Sequence, residues 1–340
     1  MLLVCCYNHI MEKIDFLAIG DTVIDAFIKL KDATVHGEPD TKGYELCLPF
    51  ADKVPYEEIY VMNAVGNAAN AAVSAARLGL KSSIVTNIGN DQNGKDCLDS
   101  LENDGVNTGF VKVNNGKKTN YHYVLWYQAE RTILIKHEEY QYNLPDIGTP
   151  KWIYFSSVNE RAFPFHYIVA DYLEAHPEIK FAFQPGKFEI KLGKEKLARL
   201  YQKTEIFFCN VEEAEKILGK ETTDIKELLA GISSLGPKMV VITDGPRGAY
   251  AYDRENYFSM PIYPDPKPPY ERTGAGDAFS STVVAALALE KNLSEALSWG
   301  PINSMSVVQE VGAQKGLLSR EKLEEYLKNA PADYKAKETN

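Results

Sequence analysis

The run Thr273-Gly274-Ala275-Gly276-Asp277 stands directly before a strongly apolar segment, Ala278 to Leu289, that has the length of a helix. Two glycines allow a tight turn, and the uncovered amides and dipole at a helix start favour an anion there. A carboxylate in the same turn would repel a bound phosphate, so binding alone does not explain Asp277. In phosphoryl transfer an aspartate accepts the proton of the attacking hydroxyl, which predicts a general base here. The alternative is a first-turn acid that only stabilises the helix.

Two other readings of the glycine-containing stretches are less favoured. Residues 89–96 follow a strand pattern and match most of a P-loop, but Asp96 replaces the Ser or Thr that binds magnesium. Asp91 would add a second negative charge to a phosphate cradle, and Lys95 offsets only one of the two. A dinucleotide-binding turn at 274–279 fails because its third glycine is a phenylalanine.

Strand patterns alternate with helix patterns through most of the chain. Short apolar runs predict buried strands, and amphipathic or alanine-rich runs predict helices. The predicted strands are 15–20, 81–88, 151–156, 180–183, 205–209 and 239–243, and the predicted helices are 64–78, 94–104, 165–175, 211–218, 225–235 and 278–289. This alternation predicts a three-layer α/β/α sandwich with a mostly parallel central sheet, whose ligands bind beyond the carboxyl ends of the strands.

Two segments interrupt this alternation and predict a small antiparallel β-sheet outside the main layer. Residues 27–62 are rich in turn residues, and residues 117–136 contain two β-rich pieces joined by a polar turn. At the ligand-binding edge, such a sheet would act as a lid. The predicted division is a main α/β domain of residues 12–26, 63–116 and 137–330, a β lid of residues 27–62 and 117–136, and flexible termini at 1–11 and 331–340.

The composition is typical of a globular protein: 340 residues, 45% hydrophobic and 25% charged, with a formal net charge of −10. Acidic charge and scattered Lys and Arg argue against a nucleic-acid surface. The five cysteines form no CxxC pair, and no apolar run reaches the roughly 20 residues that span a bilayer. We therefore expect a cytoplasmic protein with no nucleic-acid or membrane partner.

Several motifs, taken in order, resemble those of the ribokinase (PfkB-type) family of sugar and nucleoside kinases. The glycine cluster resembles the C-terminal signature of that family. The other matching segments are 65–72 with 77–79, 89–94 with 104–106, 210–213, 243–248 and 312–313. Together they span about residues 14 to 318. The resemblance implies the ribokinase-like fold and transfer of a phosphoryl group from ATP, with Mg²⁺ as the metal.

The resemblance also implies roles on the phosphate side of the site. Asp277 would be the base, beside an anion hole formed by the amides of Gly274, Ala275 and Gly276. Asn210 and Glu213 would organise Mg²⁺ and phosphate through water. The alternative for this pair is a capping box, since Asn at a helix start with Glu three residues later needs no metal.

On the nucleotide side, the resemblance implies that Thr243, Gly245 and Gly248 line the nucleotide. Asn303 would lie near the adenine or ribose, and a solvated or helix-packed residue is the alternative. Glu271 and Arg272 replace the usual Asp-Thr before the glycine cluster. Arg272 could stabilise the transferring phosphate or pair with a surface acid. Because the replaced Asp helps to bind a monovalent cation in relatives that use one, a cation requirement stays open.

On the acceptor side, Asp25 lies just beyond the first strand, where the family uses an aspartate to hold sugar hydroxyls. A carboxylate can accept from two adjacent hydroxyls, which suits a vicinal diol. Asp21 shares the same face if the strand period continues, and is otherwise a turn residue. Gly66 and Asn70 would complete this wall. The family's Asp-Pro-Asn segment is Gln184-Pro185-Gly186 here, so an acidic contact is missing.

The lid segment contributes one charged and several aromatic candidates. Arg131 could meet a phosphate or carboxylate of the substrate, or belong to an exposed turn pair with Glu130. The lid aromatics could stack on a nucleobase or simply reflect strand composition; they are Tyr121, Tyr123, Trp126 and Tyr127.

These observations together predict an ATP-dependent kinase that phosphorylates a hydroxymethyl group of a small sugar. A nucleoside kinase of the same family is the alternative, and a non-catalytic sugar or nucleoside sensor is less favoured because Asp277 is intact. An exposed lid edge could also pair with a second copy and give a homodimer.

Overall fold

The computed structural model describes residues 13–37, 43–128, 130–222 and 224–339. The predicted flexible segment 1–11 lies outside the described residues. In chain order the strands are β1 (Phe16–Ile19), β2 (Val23–Leu30), β3 (Thr34–His36), β4 (Glu45–Cys47), β5 (Tyr56–Val65), β6 (Ser82–Gly89), β7 (Val111–Asn114), β8 (Tyr121–Tyr127), β9 (Glu130–Leu134), β10 (Trp152–Phe155), β11 (Lys180–Phe183), β12 (Ile206–Asn210), β13 (Met239–Thr243), β14 (Ala249–Tyr252), β15 (Tyr257–Met260) and β16 (Lys337–Thr339). The α-helices are α1 (Asn67–Arg77), α2 (Gln92–Asn103), α3 (Phe163–Ala175), α4 (Lys187–Leu192), α5 (Ala198–Lys203), α6 (Val211–Leu218), α7 (Ile225–Ser233), α8 (Ala275–Ala288), α9 (Leu293–Val307) and α10 (Arg320–Lys328).

The main sheet has ten strands in the order β16-β15-β14-β13-β12-β11-β10-β1-β6-β7. The seven strands from β13 to β7 in this order are parallel to their neighbours. Strands β14, β15 and β16 extend the sheet in antiparallel pairs. Helices pack on both faces, so the predicted three-layer α/β/α sandwich with a mostly parallel sheet is confirmed.

Strand β1 illustrates how the sequence sets the two faces of this sheet. All four of its residues are fully buried, and alternate side chains point to opposite faces. Phe16 and Ala18 join a core with α1, α8 and α9, whereas Leu17 and Ile19 join a core with α3, α6 and α7. A strand buried on both faces is usually apolar along most of its length, because each buried Leu, Ile or Phe contributes about 1.5–3 kcal/mol.

A second, four-stranded sheet has the order β5-β2-β8-β9, and we call it the lid sheet. Strand β2 pairs antiparallel with β5, and β8 pairs antiparallel with β9, but β2 and β8 pair parallel. The sheet is therefore mixed, whereas the prediction was a wholly antiparallel sheet. The physical reason is that a long connection through α1, β6, α2 and β7 joins β2 and β5 to β8, and such a crossover permits parallel pairing. The lid sheet begins at Val23 and includes β5 up to Val65, beyond the predicted segment 27–62 on both sides.

The C-terminal residues 331–339 correct the prediction of a flexible terminus. Strand β16 pairs antiparallel with β15 at the edge of the main sheet. Tyr334 is buried, and its hydroxyl donates a hydrogen bond of 2.6 Å to the carbonyl of Ser298. The polar sequence misled the prediction because an edge strand keeps many of its side chains in solvent.

Helices α8 and α9 pack against each other inside the first of the two cores. Most of their residues are buried, which explains a long apolar segment without an amphipathic pattern. A Cβ at Gly300 would lie 2.8 Å from the ring of Phe279, so glycine allows the two helices to approach closely. In the part of the chain that the structure describes, no helix is long and apolar enough to cross a membrane.

Candidate active site

Helix α8 begins with an open backbone turn at the predicted glycine cluster. Gly274 is the N-cap and has φ of +80°, a left-handed conformation that glycine adopts readily. A Cβ there would also lie 2.3 Å from the Cβ of Ala313, so close packing requires glycine as well. Among the described residues, apart from its chain neighbours and the backbone of α8, no atom lies within 4 Å of a Cβ built on Gly276. Because the first amides of a helix lack intrahelical acceptors, this end of α8 can receive an anion.

Asp277 lies half-buried in the first turn of α8, between two amide side chains. Asn70 Nδ2 donates to its Oδ2 at 2.8 Å, and Gln184 Nε2 donates to its Oδ1 at 3.2 Å. Gln184 follows β11, so the carboxylate lies at the carboxyl ends of the parallel strands. Burial raises the pKa of Asp277 to about 6, against the opposing effect of both hydrogen bonds. Such a carboxylate is ionised at neutral pH and still takes a proton readily.

The two amides that hold the carboxylate are themselves fixed. Gln184 Oε1 accepts hydrogen bonds from the hydroxyl of Tyr154 and from Ser280 Oγ, the latter at 2.7 Å. Gln314 Nε2 donates to Asn70 Oδ1 at 3.0 Å. Since both amide oxygens are engaged elsewhere, both NH₂ groups point to the carboxylate. The sequence showed only that an acid is missing at Gln184, so this role was not predicted.

Asn210 and Glu213 form the capping box of α6. Asn210 Oδ1 accepts from the amide of Glu213 at 2.8 Å, and Glu213 Oε2 accepts from the amide of Asn210 at 3.0 Å. Asn210 is also the register partner of Thr243, so both lie at the carboxyl ends of β12 and β13. Burial raises the pKa of Glu213, and the charge of Glu213 helps to raise the pKa of Asp277. The two hydrogen bonds show that this pair forms a capping box, as the alternative predicted. Glu213 also lies close enough to Asp277 for its charge to act on that carboxyl.

The predicted nucleotide-side residues Thr243, Gly245 and Gly248 lie in and around the turn between β13 and β14. Gly245 is exposed, with φ of +51° and open space at its Cβ position. Gly248 has φ of +92°, and a Cβ there would lie 2.2 Å from the carbonyl oxygen of Met260. The packing of this turn on β15 by itself requires glycine at 248. Nucleotide binding by these residues stays a prediction.

Asn303 does not lie at a nucleotide-binding surface, which corrects the prediction. Its side chain is fully buried in α9, where Nδ2 donates to Thr282 Oγ1 at 2.8 Å and Oδ1 accepts from the amide of Leu318 at 2.9 Å. Both ends of the amide are occupied, so the helix-packed alternative applies.

Arg272 is exposed. Burial raises the pKa of Asp265, and the positive charge of Arg272 opposes this rise. This position agrees with the surface-acid alternative for Arg272.

The P-loop match at residues 89–96 has a structural explanation. Asp91 caps α2, because its Oδ1 accepts from the amide of Gly94 at 3.0 Å. The same carboxylate accepts from the amide and the hydroxyl of Thr119, at 3.1 and 2.6 Å, and so anchors the chain just before the lid strand β8. An acid therefore occupies the start of α2, where a phosphate would have to bind.

Asp21 and Asp25 form a buried polar wall with His122 of the lid sheet and with His137 and Tyr142, which follow the lid strands in the chain. The hydroxyl of Tyr142 donates to Asp21 Oδ1 at 2.6 Å, and His137 Nδ1 lies 3.5 Å from Asp21 Oδ2. His122 Nδ1 lies 3.4 Å from Asp25 Oδ1. Burial raises the pKa of Asp21 to about 7, and burial together with the neighbouring His122 lowers the pKa of His137 to about 4. His137 is therefore neutral at neutral pH.

Gly66 and Asn70 connect this acceptor wall to the predicted base. Gly66 is the N-cap of α1, with φ of +107°, and a Cβ there would lie 2.8 Å from the carbonyl oxygen of Asp21. Glycine therefore allows the start of α1 to lie against the wall. One turn later Asn70 reaches Asp277, so the four predicted acceptor-side residues and the base are brought together.

Several buried polar atoms around the wall have no hydrogen-bond partner among the described residues. They are Asp21 Oδ2, Thr22 Oγ1, Asp25 Oδ1, His122 Nε2, His137 Nδ1 and Ser156 Oγ. An unsatisfied buried polar group costs about 1–3 kcal/mol, so these atoms are available to hydrogen-bond a polar ligand or water. Sequence reasoning missed both histidines because they show no metal-ligand spacing. The register of β2 and β8, which pairs Asp25 with His122, is the signal that reveals the first of them.

The fold is that of the ribokinase-like kinases. The structure of ribokinase from Arabidopsis thaliana, complexed with ribose and ATP, superimposes with a TM-score of 0.77 at 18% identity, and covers 93% of this chain and 99% of the other. Residues 36–320 match the family model described as pfkB family carbohydrate kinase. The match covers most of the chain, and the chain belongs to this family.

Relatives in the family differ in the acceptor that their names give. The bifunctional ribokinase/ribose-5-phosphate isomerase A of Fructilactobacillus sanfranciscensis is 26% identical over 75% of this chain, and the match spans about half (48%) of that longer protein. The nucleoside kinase of Methanothermobacter thermautotrophicus is 23% identical over 90% of this chain and 93% of its own length. The chain is therefore a sugar or nucleoside kinase relative whose acceptor the comparisons do not distinguish.

Proposed function

We propose that this protein transfers the γ-phosphoryl group of ATP to a hydroxymethyl group of a small sugar, with Asp277 as the general base. The observation that supports the proposal best is the position of this carboxylate. It is held by Asn70 and Gln184, lies beside the open helix start at Gly276, and connects through Asn70 to the acceptor wall. A base, an anion-binding helix start and a polar pocket thus lie at one edge of the sheet.

In the proposed reaction, Asp277 accepts the proton of the acceptor hydroxyl while its oxygen attacks the γ-phosphorus in line. The bond between this phosphorus and the bridging oxygen of ADP breaks, and ADP leaves with the electron pair. The amides of Gly274, Ala275 and Gly276 donate to the phosphoryl oxygens and stabilise their negative charge. The base contributes a factor of roughly 10²–10⁴ in rate by this proton transfer.

Asn210 and Glu213 fit a magnesium ion that is held through water. Among the described residues there is no group of three or more His, Cys, Asp or Glu side chains arranged to hold a metal. Mg²⁺ usually keeps several waters and binds through one or two carboxylates and the substrate phosphates, so a single carboxylate at this edge suffices. When bound, Mg²⁺ neutralises part of the charge on the phosphates. The carboxylate of Glu213 would supply a negative charge that attracts the ion.

The unsatisfied atoms of the acceptor wall favour a sugar over a nucleoside. The carboxylates of Asp21 and Asp25 can each accept from hydroxyl groups, and a polyhydroxylated ligand offers several of these. The lid aromatics do not offer an equally free stacking surface for a base. Trp126 is 2% exposed and packs against Tyr60 and Tyr270, whereas Tyr123 is 48% exposed, on the opposite face of the lid sheet.

The test is an ADP-release assay of the purified protein with Mg²⁺ and ATP against pentoses, hexoses, sugar acids and nucleosides. We expect turnover with an uncharged sugar above the rate of ATP hydrolysis without acceptor. Turnover only with nucleosides would support the alternative, a nucleoside kinase, which is the name of the relative from Methanothermobacter thermautotrophicus. Tight binding of a sugar without turnover of any acceptor would instead indicate a sensor, and the kinase proposal would be withdrawn.

A homodimer through the lid sheet is part of the same proposal, as is a cytoplasmic location. One face of the lid sheet packs on Val311 through Phe27, Val124 and Trp126. The register places large apolar side chains on the opposite face, where they are 47–51% exposed; they are Ile59, Val61, Tyr123 and Leu134. A second copy would cover this face. Light scattering after gel filtration should give the mass of a dimer for the wild type and the mass of a monomer for Val61→Lys. A monomeric wild type would contradict the proposed homodimer.

A further inference from the structure

Glu271, which precedes the glycine cluster, is a buried carboxylate that binds two loops. It is 1% exposed. Its Oε1 accepts from the amide and the hydroxyl of Thr273, at 2.8 and 2.5 Å, and its Oε2 accepts from the amide of Gly312 at 3.3 Å. The segment that leads into α8 is thereby joined to the loop after α9.

The loop after α9 lies directly against the anion hole. The Cβ and Cα of Ala313 lie 2.3 and 2.6 Å from the position that a Cβ on Gly274 would occupy. Gly274 is the N-cap that sets the direction of the first amides of α8. A displacement of Gly312 and Ala313 would therefore displace the amides that receive the phosphoryl group.

The lid sheet rests on the same two segments. Arg131 is the register partner of Trp126, so its side chain lies on the inner face of the lid sheet, and its Nε lies 3.9 Å from Glu271 Oε1. Trp126 packs edge-on against Tyr270, with ring centroids 5.2 Å apart. Met62 Cγ lies 3.1 Å from a Cβ built on Gly312. The inner-face position of Arg131 disfavours the prediction of an exposed turn pair.

We propose that Arg131 and Glu271 are positioning residues that couple closure of the lid to the geometry of the anion hole. The inference rests on the proposed kinase function. With the lid closed, the guanidinium of Arg131 neutralises the buried carboxylate of Glu271, which then holds Thr273 and Gly312 in place. With the lid displaced, Glu271 would be a buried charge without a counter-ion, and the two loops would relax. Phosphoryl transfer is thereby favoured only when water is excluded.

The same geometry does not fit a monovalent cation at Glu271. Both carboxylate oxygens already accept hydrogen bonds from amide or hydroxyl groups, and the cationic side chain of Arg131 approaches Oε1. The guanidinium supplies the positive charge that an ion would bring to this carboxylate. We therefore expect kcat to change by less than ~2-fold when potassium chloride is replaced by choline chloride at constant ionic strength. Activation of ~10-fold or more by potassium would overturn this part of the inference.

The coupling is tested with Arg131→Gln, Glu271→Gln and the double variant, and Lys136→Gln is the control. Lys136 follows the same lid strand but forms an exposed ion pair with Glu138. We expect Arg131→Gln to lower kcat by at least ~10-fold while both KM values change by less than ~3-fold. Arg131→Lys should restore part of kcat because it keeps the charge. The double variant should lose no more than the more affected single variant, because the two residues act together.

A second readout separates positioning from a general structural role. Arg131 lowers the pKa of Asp277, so Arg131→Gln should move the acid limb of the kcat profile to higher pH, which loss of folding would not do. A kcat within ~2-fold of the control, or additive losses in the double variant, would overturn the coupling even if Glu271→Gln is unstable. Absence of turnover in the wild type would overturn the kinase proposal and this inference together.

Discussion

Asn70 in α1 donates a hydrogen bond of 2.8 Å to Asp277 in α8, across a separation of 207 residues in the chain. The starts of two helices meet at this contact, one beside the acceptor wall and the other at the anion hole. The proposed base is therefore positioned by both halves of the candidate site. A shift of either helix start would move the carboxylate relative to one of the two substrates, which is where precise geometry has the largest effect on rate.

Asp277→Asn should lower turnover by at least ~10² and leave the KM for ATP nearly unchanged, because the amide cannot accept the proton. The melting temperature should stay near that of the wild type. Burial raises the pKa of Asp277 to about 6, so the ionised carboxylate destabilises the folded protein at pH 7.5, and the substitution removes this cost. The new NH₂ group opposes this gain, since it faces an amide donor. Asp333→Asn, at an exposed position, is the control, and near-normal turnover of Asp277→Asn would exclude Asp277 as the base.

The pH profile tests the environment of the same carboxylate. A base must be ionised, so kcat/KM should fall about tenfold per unit as the pH drops below about 6. Gln184→Leu removes a hydrogen bond that lowers the pKa of Asp277. The acid limb should therefore move to higher pH by about 0.5–1 unit. Gln202→Leu, outside the site, should leave the limb in place, and an acid limb near pH 4 in the wild type would contradict the raised pKa.

The sequence contained enough information to predict the layer architecture and to single out Asp277 as the candidate base. Strands buried on both faces, such as β1, appear as continuous apolar runs, and the glycine cluster at 274–276 is local in the chain. Because glycine has no side chain, the backbone amides at these positions stay uncovered, so the spacing of the glycines alone predicts an anion site. Local patterns of this kind could be interpreted without the tertiary structure.

Contacts that depend on strand register could not be predicted in the same way. Gln184 reaches Asp277 over 93 residues, and His122 meets Asp25 only because β8 pairs with β2 in one register. The prediction of a nucleotide contact for Asn303 was wrong for a related reason. A position in a motif does not reveal whether the side chain points to the site or into the core. Its partners, Thr282 and Leu318, come from other elements of the fold.

Asp25→Asn should weaken binding of the acceptor sugar and leave binding of ATP nearly unchanged. The substitution leaves the volume of the side chain nearly unchanged but replaces one acceptor oxygen by a donor that cannot accept from a sugar hydroxyl. We expect the KM for the sugar to rise at least ~10-fold, with the KM for ATP within ~2-fold. Asp32→Asn, at an exposed position beyond β2, is the matched control. Equal effects of the two variants on the sugar KM would remove Asp25 from the acceptor site.

Asn303→Ala distinguishes a buried structural amide from a nucleotide contact. The substitution removes the donor to Thr282 and the acceptor of the Leu318 amide, both in the interior. Because the two groups lose their partners, the free energy of unfolding should fall by about 2–4 kcal/mol, measured by urea denaturation. The KM for ATP should stay within ~2-fold of the wild type at a temperature where the variant is folded. A large rise in this KM without loss of stability would return Asn303 to the nucleotide site, because only a residue that contacts ATP weakens its binding while the fold stays intact.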